Sequence, residues 1–427
     1  MSFVKLFCLF ILLAVTQGSS QPTWQRLHTP TSNNLKSLCF LDSLNGWVAG
    51  NKGMIIKTTN GGISWASQQV DTTSNIAQIL FFNSQFGWAV APVLVMDSTL
   101  SYGARIYRTT NGGDQWSYKF LPDELIYSVT FTDSLRGYIG SAFGRFFRTT
   151  DGGLTWIEAP VNPAPLFPIN RIKFISPERG YAVGGRFDLA AVIWHTTNGG
   201  VSWFSAAVGG EPLYDIGFID SSRFITVGGD PEYGVTNATT TDAGANWTYD
   251  TLGFFGIASA ISFRTAKEAW CPLGFAGSCI YTRDEGNRWD LFLLQEQIGI
   301  FDLRFTDELH GYMVGDSGAV FKYYDSVTGI DDVVPADPKV SHLELFQNYP
   351  NPFNPSTTIR YLLPKAEYVN LKVYNVLGRS VEILVHEYQD AGYHSVTLRA
   401  EEFSSGVYFY RLEAGHFVET KKLLILR

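Results

Sequence analysis

Acidic and aromatic residues in the segments between predicted strands are the residues of this chain best suited to chemistry. Five of them are the candidate ligand-binding residues: Asp188, Glu211, Asp230, Glu232 and Tyr233. Carboxylates beside aromatic rings suit a sugar or a cation, and two carboxylates at a suitable separation could hydrolyse a glycoside. The alternative is that these are solvated loop residues without a ligand.

No other catalytic pattern accompanies these acids. The seven histidines are scattered, and the sequence contains neither a CxxC pair nor an HExxH motif, so we expect no metal site and no cofactor. Gly315-Asp316-Ser317-Gly318 has the form of a serine-protease nucleophile segment. Because it aligns with Gly50-Asn51-Lys52-Gly53 in an earlier repeat, it predicts an ordinary turn.

A repeated eight-residue segment organises the chain that carries these acids. It first reads Thr58-Thr59-Asn60-Gly61-Gly62-Ile63-Ser64-Trp65 and returns five times, with tryptophans 51, 40, 47, 44 and 42 residues apart. Asn or Asp followed by Gly reverses the chain tightly, whereas Thr and Trp suit strands. The turn residues are Asn60, Asn111, Asp151, Asn198, Asp242 and Asp284, and the tryptophans are Trp65, Trp116, Trp156, Trp203, Trp247 and Trp289. This period predicts a β-propeller.

A second series gives the number of repeats. Seven phenylalanines each stand six residues before a Gly, Ala or Phe that opens another strand: Phe40, Phe81, Phe131, Phe174, Phe218, Phe263 and Phe305. The last repeat lacks a tryptophan strand, whereas Trp24 stands one period, 41 residues, before Trp65. We therefore predict an all-β chain with a seven-bladed propeller over residues 21–325, whose N-terminal strand completes the last blade and removes its open edge.

In each blade we expect the Phe strand to be the inner strand, followed by the Gly-aromatic, Thr-Thr and Trp strands outward. This order assigns the loops to two faces. The repeated turns lie on one face, and the connections between blades lie on the other, together with the loops that join the second and third strands. The second face carries the variable material and the five candidate residues, so we expect a small ligand there.

The repeated turn resembles the Asp-box of sialidase-type BNR repeats, which Thr149-x-Asp151-x-Gly153-x-Thr155-Trp156 matches in full. With a GWVAG-like strand before each box, residues 24–325 look most like the photosystem II stability/assembly factor family. The resemblance implies a protein-binding propeller without chemistry, in which the boxes are elements of the fold. A sialidase would instead need an arginine cluster; Arg171, Arg264 and Arg304 could face the axis, but such inner-strand cations commonly pair with neighbours such as Asp215 and Asp302.

The N-terminus and the cysteines indicate an exported protein. Residues 1–20 read as a secretory signal peptide, with an apolar core too short for a membrane span, and no transmembrane segment follows. Cys271 and Cys279 flank a predicted turn and could form a disulfide in an oxidising compartment. Cys39 is expected to be buried and inert.

The composition and the residue pattern change after the repeats. Residues 326–341 form an acidic, Pro-containing linker, and residues 342–427 alternate as short strands typical of a small antiparallel, Ig-like β-sandwich. This domain closely resembles the type A C-terminal sorting domain of the type IX secretion system, on residues 348–355, 373–378, 405–408 and 421–423. The resemblance implies that the type IX machinery is a partner, that Gly406, Tyr408, Lys421 and Lys422 belong to the sorting signal, and that the protein is secreted or held at the outer surface.

Charge and the motifs together define the predicted function. The sorting domain carries nine acidic and nine basic residues, so the net charge of −8 lies in the preceding part and disfavours a nucleic-acid partner. We predict a secreted, non-catalytic propeller that binds an extracellular protein or glycan. The alternative is an extracellular glycoside hydrolase, sialidase-like or other, with carboxylates on the loop-rich face.

Overall fold

The computed structural model describes most of the chain: residues 23–95, 101–324, 343–345, 348, 351, 353, 356–363, 365–376, 378–389, 392–400, 403–415 and 417–425. The predicted signal peptide and the predicted linker lie outside these residues. The chain divides into two compact units, and the division falls after Thr328.

Within the described part of the first unit, β-strands form seven sheets. The N-terminal strand is β1 (Thr23–Leu27). The first sheet contains β2 (Leu35–Phe40), β3 (Gly46–Gly50), β4 (Met54–Thr58) and β5 (Ala66–Gln69). The second contains β6 (Gln78–Phe81), β7 (Gly87–Val95), β8 (Ser101–Thr109) and β9 (Ser117–Pro122). The third contains β10 (Ile126–Phe131), β11 (Gly137–Ser141), β12 (Phe146–Thr149) and β13 (Ile157–Ala159).

The remaining sheets repeat this order. The fourth contains β14 (Val161–Asn162), β15 (Ile169–Phe174), β16 (Gly180–Arg186), β17 (Ala190–Thr196) and β18 (Trp203–Gly209). The fifth contains β19 (Leu213–Phe218), β20 (Phe224–Asp230), β21 (Gly234–Thr240) and β22 (Thr248–Thr251). The sixth contains β23 (Ser262–Phe263), β24 (Ala269–Pro272), β25 (Ser278–Thr282) and β26 (Asp290–Leu293), and the seventh β27 (Ile300–Phe305), β28 (Gly311–Gly315) and β29 (Val320–Tyr324). Short 3-10 turns occupy Asn51–Gly53 and Asp316–Gly318.

The spacing of six residues between Phe and Gly has a steric cause. In the first sheet Phe40 pairs directly with Gly46, and a Cβ at Gly46 would lie 2.4 Å from the Phe40 ring. The glycine therefore leaves room for the ring to lie flat over the next strand. In the fifth sheet, where Phe224 replaces the glycine, the Phe218 and Phe224 rings pack edge to face, with centroids 5.0 Å apart.

The N-terminal strand belongs to the seventh sheet. β1 pairs antiparallel with β29, and Trp24 lies opposite Tyr323. The Trp24 side chain is buried against Trp270, Phe305 and Tyr323. The predicted pairing of the first strand with the last repeat is thus confirmed.

Hydrogen bonds from inner-strand side chains connect each sheet to the next. Each inner strand carries one of the seven repeated phenylalanines. At five of the junctions among described residues, the side chain three positions before this phenylalanine accepts the N–H of a residue in the following sheet. These bonds are Ile79 N to Ser37 Oγ (3.2 Å), Val129 N to Gln78 Oε1 (2.8 Å), Ile172 N to Ser128 Oγ (3.0 Å), Ile261 N to Asp215 Oδ2 (3.0 Å) and Leu38 N to Asp302 Oδ2 (3.0 Å).

The two other junctions use neighbouring positions. Between the fourth and fifth sheets Arg171 stands where the acceptor is expected, and Asn170 and Lys173 instead donate to backbone carbonyls of the fifth sheet. Between the sixth and seventh sheets Ser262 Oγ accepts the N–H of Phe305 at 2.9 Å. Every junction is therefore bridged by a side chain.

A second set of hydrogen bonds ends on the box turns. The aromatic residue after each strand-opening glycine donates to a carbonyl in the box of the next sheet, as Trp47 Nε1 does to Gly112 O at 3.0 Å and Tyr138 Oη to Gly199 O at 2.7 Å. Equivalent bonds join Trp88 to Gly152, Tyr181 to Ala243 and Tyr312 to Gly61. The boxes thus position neighbouring sheets as well as reversing the chain.

The predicted Cys271–Cys279 disulfide is wrong, because both thiols are free. Cys271 lies opposite Ile280 and Cys279 opposite Pro272, so the cysteines are offset by one residue and their side chains point to opposite faces of the sheet. Cys271 packs in one core cluster and Cys279 in another. Burial raises the pKa of both thiols and keeps them protonated. Cys39 is also free and buried.

The second unit consists of two described sheets. One contains β30 (Glu344–Leu345), β31 (Ser356–Leu363) and β34 (Gly392–Arg399), and the other β32 (Glu367–Asn375), β33 (Ser380–Gln389), β35 (Gly406–Ala414) and β36 (Phe417–Ile425). Residues of both sheets, among them Ile359, Leu371 and Tyr410, share one buried cluster.

The described residues of the segment 348–355 include Asn351 and Phe353, which lie beside the edge strand β36. Phe353 forms a parallel bridge with Ile425, and its N–H donates to Leu424 O at 3.0 Å. Asn351 exchanges bonds with the same strand, donating to Lys422 O and accepting from Leu424 N. The predicted signal residues Lys421 and Lys422 lie on this strand.

Candidate ligand-binding site

Two long hairpins in neighbouring sheets place the predicted acidic residues. β16 and β17 of the fourth sheet turn at Asp188, and β20 and β21 of the fifth sheet turn after Asp230. Asp188 has a left-handed backbone, with φ of 58°, which aspartate tolerates better than most residues. Glu211 lies in the connection between the two sheets.

The structure brings three of the five predicted residues together. Carboxylate oxygens of Asp188, Glu211 and Asp230 all lie within 4.8 Å of one another. Glu211 and Asp230 are buried, with 8% and 3% of their surfaces exposed, whereas Asp188 is exposed. Glu232 and Tyr233 are exposed residues of the adjoining turn.

Backbone hydrogen bonds hold the carboxylates in place. Asp230 Oδ1 accepts the N–H groups of Glu232 and Tyr233, so this carboxylate caps its own hairpin. Glu211 Oε2 accepts the N–H of Asp188 at 3.1 Å, which ties the connection to the fourth-sheet hairpin. The Glu211 N–H donates to Tyr249 Oη at 3.0 Å.

The cluster creates a strongly negative local potential. Burial raises the pKa of Glu211, and the neighbouring charges of Asp230, Asp188 and Glu232 raise it further, against the opposing Asp188 N–H. Burial, Asp230 and Glu211 raise the pKa of Tyr214 to about 12. No ion pair within the described part of the chain joins a Lys or Arg to these acids. The cluster therefore suits hydroxyl donors or a positive charge. The same spacing could hold a metal ion, which the sequence analysis did not predict.

The Asp-boxes use their polar groups internally. In the third sheet Thr149 Oγ1 donates to Asp151 Oδ1 at 2.7 Å, and Asp151 accepts the Thr155 N–H at 2.9 Å. Bonds to Thr155 and Thr149 hold the pKa of Asp151 well below its usual range. The other five boxes repeat this pattern with Asn or Asp. These side chains are thus occupied in the turn, and five of the six box tryptophans stand just before an outer strand rather than within it.

A second candidate site lies where the inner strands meet. A cavity of about 380 Å³ is lined by the later residues of the inner strands, including Arg171, Lys173, Asp215, Asp302 and Arg304. These residues lie toward the box turns, the end of the unit opposite to the acidic cluster. Of the three arginines predicted as possible axial residues, Arg171 and Arg304 line this cavity. Arg264 instead pairs with Glu268 at 2.9 Å.

Sequence reasoning overlooked this cavity as a site. The alternation of side chains along the inner strands is a usable signal, because the residues one and three positions before each repeated phenylalanine point to the same side of the strand. At those positions the fourth sheet carries Lys173 and Arg171, and the seventh Arg304 and Asp302. The weight given to loop length drew the prediction to the other face.

Comparisons with known proteins agree with the two-unit organisation. Residues 347–426 match the secretion system C-terminal sorting domain family. Residues 16–117 match the photosynthesis system II assembly factor YCF48 family. The chain joins an assembly-factor-like domain to a type IX sorting domain. The sorting domain marks the protein for type IX export to the cell surface or the medium, and no helix of the described residues is long and apolar enough to cross a bilayer.

Two proteins with similar sequences are photosystem II assembly lipoproteins. The photosystem II assembly lipoprotein Ycf48 of Synechococcus sp. (strain CC9902) is 31% identical over 157 residues, 35% of this chain but only 43% of that protein. The homologous lipoprotein of Picosynechococcus sp. (strain ATCC 27264 / PCC 7002 / PR-6) is 23% identical over 315 residues, covering 71% of this chain and 88% of that protein.

Solved structures establish the fold class. YCF48 bound to D1 peptide has a TM-score of 0.55 at 19% identity, covering 70% of this chain and 96% of its own. Virginiamycin B lyase from Staphylococcus aureus, in an inactive form with quinupristin, reaches 0.57 at 14%, covering 71% and 99%. A binding protein and a lyase thus share this propeller-like fold, so the fold alone specifies no activity.

Proposed function

We propose that this protein is a secreted or cell-surface, non-catalytic propeller that binds an extracellular protein or glycan at the acidic cluster. Residues 1–20 would be the removed signal peptide, 21–325 a closed seven-bladed propeller, 326–341 a linker and 342–427 the β-sandwich sorting domain. Ring closure is supported by the side-chain bridges between successive sheets and by the place of β1 in the seventh sheet.

The observation that carries the binding proposal is the convergence of Asp188, Glu211 and Asp230. Three segments from two sheets place carboxylates within 4.8 Å, with no paired cation in the described chain. Hydrogen bonds from the hydroxyl or ammonium groups of a ligand would stabilise these three carboxylates. We therefore expect the ligand to offer hydroxyl donors, as a glycan does, or a basic side chain, as a protein does.

The two carboxylates that line the cavity between the inner strands are poorly suited to glycoside hydrolysis. Asp215 accepts the N–H groups of Ile216 and Ile261, and Asp302 those of Leu303 and Leu38. A general acid and a nucleophile need carboxylates that are free to exchange protons or attack a sugar. These two are engaged in holding the sheets together.

A glycan and peptide array probed with the purified full chain, together with a hydrolysis screen, tests the proposal. We expect retention of a neutral glycan or basic peptide without turnover, and about tenfold weaker binding by Glu211→Gln, because one charged acceptor is lost. Glu308→Gln, at an exposed position on the opposite loops, is the matched control and should bind normally. Turnover that Glu211→Gln abolishes would instead establish the glycosidase.

A further inference from the structure

The central cavity carries more cationic than anionic side chains. Arg171, Lys173 and Arg304 line it together with Asp215 and Asp302. Both carboxylates already accept backbone N–H groups from their own and neighbouring strands. With three cations against these two carboxylates, the cations are neutralised only in part.

Arg171 is a mostly buried cation, with 16% of its side chain exposed, and one of its donors is unused. Its Nε lies 3.5 Å from Asp215 Oδ1 and its Nη2 3.9 Å from Asp302 Oδ1, distances that suit ion pairs. The Nε–H is nevertheless buried without a hydrogen-bond partner. A buried unsatisfied donor is costly, so the Arg171 guanidinium gains from an acceptor that reaches it from the cavity.

The place of Arg171 in the repeat strengthens this reading. Five of its equivalents accept an N–H from the next sheet, but an arginine has no acceptor atom. Asn170 and Lys173 make the bonds that join the fourth sheet to the fifth, at 2.9 and 2.7 Å. Arg171 is therefore not required for the junction, and its guanidinium is left to face the cavity.

Arg304 adds a second cation on the seventh sheet. Its side chain is exposed at the cavity wall, and within the described chain it makes neither an ion pair nor a hydrogen bond. Lys173, by contrast, is already bonded to Asp215 at 2.7 Å. Two guanidinium groups from sheets on different sides of the cavity thus offer planar pairs of N–H donors, the geometry that binds a carboxylate in a bidentate manner.

We propose that the central cavity is a second binding site, specific for a small carboxylate held by Arg171 and Arg304. A volume of about 380 Å³ accommodates a molecule the size of a sugar acid or an amino acid. Asp215 and Asp302 orient the Arg171 guanidinium, whose exposed N–H groups bind the carboxylate together with those of Arg304. The site is distinct from the acidic cluster, which would repel such a ligand.

Calorimetric titration of the full chain with matched probes tests this site. Glucuronate is compared with glucose, and N-acetylalanine with its amide, in low-salt buffer because salt screens the attraction. We expect one carboxylate to bind at least tenfold more tightly than its neutral counterpart, and the pair that discriminates identifies a sugar acid or an amino-acid carboxylate. Equal binding, or none, of both pairs would overturn the proposal.

Two variants locate the site. Arg304→Gln should weaken carboxylate binding about tenfold. It should not change the unfolding temperature, because the Arg304 side chain makes no hydrogen bond or ion pair with the described residues. Arg288→Gln, on an 80% exposed arginine of an outer turn, should bind like the wild type. If Arg304→Gln keeps full affinity while remaining folded, the cavity is not the carboxylate site.

Discussion

At the residue scale, the best-predicted features are those written in consecutive positions. The box turn uses a Thr, an Asn or Asp two residues later and then two residues with positive φ, all within eight residues. The second of these is glycine in every box, whereas Ala243 and Glu285 take the first place in two boxes. The inter-sheet bridges were not predicted, since Ser37, Gln78 and Asp215 share only the ability to accept a hydrogen bond and stand some 40 or more residues apart. The acids of the candidate site were predicted as residues, but their convergence depends on two hairpins that sequence alone does not align.

Removing a box carboxylate should destabilise the protein. Asp151→Ala loses bonds to Thr149 and Thr155, and we expect a loss of about 1–2 kcal/mol in the free energy of unfolding. Urea denaturation followed by tryptophan fluorescence measures this loss. Asp114→Ala changes an exposed box residue whose side chain makes no hydrogen bond among those described, and should unfold like the wild type.

The acidic cluster should make stability depend on pH through Glu211. Its pKa in the folded protein lies above the ordinary 4.5, so folding favours the protonated form, and stability falls as the pH rises from about 4.5 through the folded pKa. Glu211→Gln should therefore raise the unfolding temperature at pH 7 and have no such effect at pH 3.5. Thermal scans across this range measure the difference. An equal shift at both pH values would show that the effect is not electrostatic.

At the element scale, the sheets were predictable and the hairpin registers were not. Alternation and turn signals located the strands, whereas the one-residue offset between Cys271 and Cys279 depends on the number of residues in the turn. That offset places each thiol on a different face and excluded the disulfide. The lining of the central cavity was, by contrast, readable from the alternation of side chains before each repeated phenylalanine, and it was overlooked.

The side-chain bridges between sheets should contribute measurably to stability. Ser128→Ala leaves the buried Ile172 N–H without its acceptor, and we expect a loss of about 1–3 kcal/mol. Thr130→Val, two residues further along the same strand, is the control, because it removes a hydroxyl with no hydrogen-bond partner among the described residues. Urea unfolding that shows no difference between these variants would contradict the bridging role.

The N-terminal strand should act as part of the seventh sheet. Trp24→Ala removes a buried indole that contacts three aromatic rings, and core substitutions of this size cost about 3–5 kcal/mol. Ile63→Ala, at an 84% exposed position, provides the control. Equal urea midpoints for the two variants would show that β1 contributes little.

At the scale of the whole molecule, the division into two units predicts that export and binding can be separated. A chain that ends at residue 341 should fold and bind its ligand but remain inside a bacterium that has a type IX system, because it lacks the sorting domain. Cell fractionation with immunoblotting measures its location. Secretion of the shortened chain at the wild-type level would remove the sorting role from residues 342–427.

The pairing of Thr23 with Tyr324 brings together residues made at opposite times of synthesis. A chain threading through an export channel with its amino end first cannot seat Trp24 until some 300 further residues have followed. Throughout that interval β1 has no partner and is open to pairing with other chains. A short peptide copying Thr23–Leu27 should therefore compete with β1 for the outer edge of β29 while the protein refolds.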